Sequence, residues 1–187
     1  MLSVLWMLIE TAGSLLVTAC ILRAYAQWVR VHPRNPLIQF LVAITDWLVR
    51  PLRRVLPSQR GIDLASIVAA LGLALLLAGL RAWLLAEPLA ALGREPHFGS
   101  VLLLALVWTL RWSLYALMGL LMLQVVLSWV NPQAPMAPAV DQLVRPFLAP
   151  VRRIVPLVGN FDLSPLVVFV LIQAALMLME PLARTLP

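Results

Sequence analysis

The chain is 187 residues long and 63% hydrophobic, with a mean hydropathy of +0.96, far above the roughly 45–50% apolar share of soluble domains. That is the composition of an integral membrane protein. The formal charge of +6 comes from fourteen arginines and no lysine; the arginines flank apolar stretches and leave no soluble domain to hold a groove-reading element, which argues against direct nucleic-acid binding.

The first apolar stretch, about Leu2 to Val29, is long enough to cross a bilayer. It lacks a basic n-region and carries Glu10 inside it, so it reads as a retained span and not as a cleavable signal peptide. Glu10, Ser14 and Thr18 share one face that is expected to point at protein. Cys20 lies in the same stretch and reads as a small packing residue. In the loop from 30 to 63, Leu37, Phe40, Leu41, Ile44 and Leu48 recur at helical spacing. Asn35-Pro36 supplies a start and Pro51 a stop. A helix of about 13 residues is too short to span, so it is expected in the membrane interface or against the bundle. Asp63 then precedes the second span, about Leu64 to Ala86, where a carboxylate caps exposed N–H groups and meets the positive helix end. Ala70, Ala74, Ala78 and Ala82 form a small-residue ridge on that span, which permits close helix approach.

The third span runs from about Val101 to Val130. In the loop from 131 to 162, Val140 to Leu148 reads as an amphipathic helix with Asp141, Gln142 and Arg145 on its polar side. Asp162 is a second expected cap, followed by the fourth span, about Leu163 to Met179. Arginines concentrate in the loops 30–63 and 131–162, whereas 87–100 has Arg94 against Glu87 and Glu95. The positive-inside rule therefore puts both long loops in the cytoplasm and both termini outside.

Pro51, Arg53, Arg54, Pro57, Asp63 and Leu64 recur at an offset of 99 as Pro150, Arg152, Arg153, Pro156, Asp162 and Leu163. Trp28 matches Trp129, and Glu87-Pro88-Leu89-Ala90 matches Glu180-Pro181-Leu182-Ala183. The chain thus reads as an internal duplication, residues 1–92 and 93–187. The fold class expected is an all-α membrane protein of four transmembrane helices, built as two parallel two-helix repeats, each with a basic cytoplasmic loop and a short interfacial helix.

The arginine pairs Arg53-Arg54 and Arg152-Arg153, bracketed by prolines, suit the clamping of lipid phosphates or of an acidic segment on a partner. Topogenic charge alone is the alternative. Counting along the spans places Glu10, Arg111, Arg81 and Glu180 at one depth, about 27 Å from the cytoplasmic end. The duplication sets Glu10 against Arg111 and Arg81 against Glu180, a charge cluster expected to pair between helices. Two histidines, His32 and His97, one cysteine, no Gly-rich phosphate loop and no metal-ligand spacing leave little for catalysis. No cofactor, metal or enzymatic activity is expected.

Leu22-Arg23, Gln27-Trp28, Asn35-Pro36, Gln39-Phe40, Thr45, Pro51-Leu52-Arg53-Arg54 and Gly61-Ile62-Asp63 recur in part as Ser128-Trp129, Arg145-Pro146, Pro150, Arg152-Arg153, Pro156 and Asp162-Leu163-Ser164-Pro165. In these residues the chain resembles the YggT (YlmG-like) family of bacterial and plastid membrane proteins over essentially its whole length. It departs from the family at Gln124, which takes the place of the membrane arginine that Arg23 keeps in the first copy. The resemblance implies the bacterial inner or thylakoid membrane, with links to osmotic or ion homeostasis, to division and nucleoid organisation, and to maturation of a plastid cytochrome, but no agreed biochemical activity. The expected role is a non-enzymatic organising or assembly factor whose partners are membrane lipids and a membrane, division or assembly protein, with self-association left open. The alternative is an ion or solute pathway serving osmotic homeostasis.

Overall fold

Four long apolar stretches and two amphipathic ones fold as six helices in the computed structural model, which describes residues 2–56, 61–86, 97–155 and 162–185. They are α1 (Leu2–Trp28), α2 (Pro36–Val55), α3 (Leu64–Leu84), α4 (Phe98–Val130), α5 (Ala137–Arg152) and α6 (Ser164–Thr185). Helices α1, α3, α4 and α6 are each long and apolar enough to cross a membrane. Each half of the chain therefore runs long apolar helix, amphipathic helix, long apolar helix. The Glu87-Pro88-Leu89-Ala90 segment and Arg94, Glu95, Pro57, Arg60 and Pro156 lie outside the described residues.

The ends of the helices follow local chemistry. After α1 the backbone turns left-handed at Arg30 (φ 62°). Val31 N–H donates to Ala26 O and Arg30 N–H to Gln27 O, which satisfies carbonyls that the helix end would otherwise leave open. Asn35 caps α2 by accepting from Leu37 N–H, with Pro36 in the first turn where its missing donor costs nothing.

Proline does not end the amphipathic helices. Pro51 lies inside α2, and Pro146 and Pro150 lie inside α5. The expected stop at Pro51 is corrected: α2 runs 20 residues, to Val55. A proline forfeits one intrahelical hydrogen bond, but here the turn beyond it is held from outside, by Leu52 packed on the first core cluster and by Arg53 paired with Asp63. At 20 residues, length no longer separates α2 from a spanning helix. Its Asp46, Arg50, Arg53 and Arg54 do.

Small residues draw the spans together. Ala70, Ala74, Ala78 and Ala82 are all buried, and a Cβ on Gly13 of α1 would come within 2.6 Å of Leu77 Cδ1 on α3. One core cluster joins α1, α2, α3 and α4 through Val17, Val49, Ala74 and Leu104. The other joins the end of α1 to α4, α5 and α6 through Ala26, Leu121, Leu143 and Ile172. Helix α5 is also tied to the first half by hydrogen bonds: Tyr25 Oη donates to Leu143 O at 2.7 Å and Gln142 Nε2 to Val29 O at 3.0 Å.

Candidate functional site

Where each amphipathic helix meets the following span, an arginine and an aspartate ten positions apart close a corner. Arg53 of α2 pairs with Asp63, the N-cap of α3. Arg152 Nε of α5 donates to Asp162 Oδ2 at 2.8 Å, just before α6. Both aspartates also cap: Asp63 accepts from Ser66 N–H at 3.3 Å, and Asp162 from Ser164 N–H at 2.9 Å. Each corner thus ties a helix N-terminus, rich in unpaired donors, to an arginine in the last turn of the preceding helix. Arg54 and Arg153, the outer members of the pairs, are exposed.

The first corner is the more elaborate. Arg23, 5% exposed, reaches out of α1 and donates from Nη1 to Thr45 Oγ1 at 2.8 Å and from Nη2 to Asp46 Oδ1 at 3.1 Å, both on α2. Its Nε stands 3.8 Å from Asp63 Oδ2, close enough for attraction but too far for a hydrogen bond. Asp63 is fully buried and also accepts from Ser66 Oγ at 2.6 Å. Burial pushes its carboxyl up, but the hydrogen bonds from Arg53 and Ser66 outweigh that and hold its pKa below 3.8. Two cations and two anions thereby lock α1, α2 and α3 together at one end. The sequence left Arg23 and Asp46 out of the candidate residues. The usable signal was a buried-span arginine with no carboxylate within reach on its own helix.

The second corner has no such arginine. Gln124 of α4 donates from Nε2 to Asp141 Oδ1 on α5 at 3.1 Å, and its Oε1 is buried without a partner. Asp162 is held below 3.8 in the same way, burial being offset by Ser164 and Arg152. Beside it a cavity of about 650 Å³ opens between α4, α5 and α6.

The outer charges are placed differently from the corners. Arg81 lies over the ring of Trp108, 5.4 Å from its centroid, a cation–π contact. Glu10 and Arg111 are both half-buried on α1 and α4 and do not form an ion pair with each other. Glu180 sits near the end of α6, on its exposed side. Ser14 turns its hydroxyl back to Thr11 O at 2.9 Å, within its own helix. Among the described residues no group of three or more His, Cys, Asp or Glu side chains is arranged to hold a metal ion.

Comparison with known proteins sets this geometry in a family. The chain is 35% identical over 173 residues to an uncharacterized protein from the proC 3′ region of Vibrio alginolyticus, covering 92% of this chain and 91% of that one. It is 35% identical over 176 residues to an uncharacterized protein of Pseudomonas aeruginosa, covering 89% and 83%. It is 30% identical over 166 residues to the uncharacterized protein YggT of Escherichia coli K12, covering 88% and 83%. No solved structure matches the chain with significance. The CCB3/YggT family profile matches residues 2–84 and 103–183, which takes in both arginine–aspartate corners, and the chain belongs to the CCB3/YggT family.

Proposed function

We propose that this protein is a non-enzymatic organising or assembly factor of the bacterial inner membrane, whose two basic corners face the cytoplasm and contact anionic lipid or a protein partner there. The observation that carries this reading is the division of roles within each arginine pair. All four arginines are exposed, but Arg53 and Arg152, at 40% and 41%, are each anchored to an aspartate, and Arg54 and Arg153 stand beside them on the backbone so fixed. A guanidinium presented from an ordered corner loses less freedom on meeting a phosphate or a carboxylate. On α2 the exposed Phe40, Ile44 and Trp47 add an apolar and aromatic stripe suited to the headgroup boundary. The same arginine asymmetry supports cytoplasmic corners and external termini, and the recurrence of the corner supports reading the two halves as parallel repeats.

The alternative, an ion or solute pathway, has its best support in the half-buried face of Glu10, Ser14 and Thr18. The two readings separate on one variant. Replacing Arg54 and Arg153 together by Gln should lower retention of anionic phospholipid, or of the captured partner, by about fivefold per arginine, since each basic residue near an anionic surface contributes about 1 kcal/mol. Helical content and melting temperature should stay unchanged. Equal retention by the variant, with ion flux in liposomes, would instead support the pathway.

A further inference from the structure

The two corners differ in charge as well as in shape. Within the hydrogen-bonded cluster of the first, Arg23 and Arg53 balance Asp46 and Asp63. In the second, Arg152 pairs with Asp162, and Gln124, which brings no charge, donates to Asp141. The place that Arg23 fills in the first corner thus carries no charge in the second. The cavity of about 650 Å³ lies at that place, with Gln124, Arg152 and Asp162 among its lining.

The amide of Gln124 has only one sensible orientation. Asp141 can only accept, so Nε2 must face it and Oε1 is left as an unpaired acceptor. Arg152 spends Nε on Asp162, which leaves its two Nη groups as donors. The polar end of the cavity therefore offers a guanidinium for an anion beside a carboxylate and a carbonyl for a hydrogen-bonding cation. Apart from Ser128 the rest is apolar, walled by Leu121, Met122, Val125 and Trp129 of α4 and by Leu166 and Phe169 of α6. Both helices are long and apolar enough to cross a membrane.

We propose that this cavity binds one phospholipid with a primary-ammonium headgroup. Its phosphate meets the Arg152 guanidinium, its ammonium donates to Asp162 and Gln124, and an acyl chain lies along α4 and α6. A headgroup carrying one cation and one anion, with apolar chains behind it, matches the cavity in charge order and in polarity. The ammonium supplies at the second corner what Arg23 supplies at the first. The inference rests on reading α4 and α6 as membrane spans, and it does not involve Arg54 or Arg153.

The test uses the full chain, purified in detergent and offered phosphatidylethanolamine and phosphatidylcholine with identical acyl chains, with retained lipid counted by native mass spectrometry. The two lipids share a phosphate and differ in whether the cation carries N–H donors, so contacts at the exposed arginines affect both alike. Phosphatidylethanolamine should be retained about fivefold better, the ratio that about 1 kcal/mol of partly exposed ion pairing corresponds to. Gln124→Arg, which restores the first corner's residue, should remove that preference. Leu166→Trp, which narrows the apolar end and leaves the polar groups in place, should lower retention of the lipid even if Gln124→Arg fails to fold. Equal retention of the two lipids by the parent chain overturns the inference. So does undiminished retention of phosphatidylethanolamine by Leu166→Trp, or a second copy of the chain occupying the cavity through one of its arginines.

Discussion

Arg23 shows how much one side chain can hold at this boundary. Desolvating a guanidinium is costly unless it is paired and hydrogen-bonded, and here Thr45 and Asp46 accept from it while Asp63 stands close by. Arg23→Gln, which copies the residue of the second half, should destabilise the protein by about 3 kcal/mol, the low end of the range for breaking a buried pair, because Arg53 still holds Asp63. Denaturant titration of the detergent-solubilised protein reads this, and a change under about 1 kcal/mol would show that Asp46 and Asp63 do not depend on Arg23. Acid probes the same site. Asp63 and Asp162 are held below 3.8 in the folded protein. Their stabilisation is therefore complete above the unfolded value and is lost as pH falls through the depressed folded values. Melting temperature should fall steeply on acidification below about pH 4. Asp63→Asn should be less stable at neutral pH and less sensitive to acid, and an acid limb as steep as the parent's would assign the effect elsewhere.

At the scale of helices, the alanine ridge on α3 sets the spacing of the spans. Ala74 is fully buried, in the cluster that joins α1, α2, α3 and α4. Ala74→Leu should cost about 1–3 kcal/mol through overpacking. Gly72→Ala, on the same helix with open space at its Cβ, should be neutral or slightly stabilising. A comparable loss from both, measured by thermal unfolding in one detergent, would mean that the ridge is not the contact that matters. Sequence periodicity located this ridge and all four spans, because apolar length and small-residue spacing are local properties. It misplaced the end of α2, because a proline's local cost is visible in sequence whereas the Leu52 and Arg53 contacts that offset it are not.

For the whole molecule, the arginine-rich stretches that contain both corners are expected on the cytoplasmic side, with both termini outside. A single cysteine introduced at position 58, with Cys20 buried, should resist an impermeant thiol reagent applied to intact cells and react once the membrane is opened. Labelling from outside would reverse the orientation. The sequence by itself determined the helical class, the four apolar spans, the recurrence of the basic loops and the family, since each depends on composition or on spacing along one stretch of chain. Only the tertiary structure decided which charges meet. Arg23 found Asp46 and Asp63, Arg81 found the face of Trp108, and Glu10 and Arg111 did not form a pair. Equal depth on two helices fixes height along the membrane normal but leaves each helix's rotation about its own axis free. Those rotations are set by how the alanine ridge, the Gly13 contact and the amphipathic helices pack together.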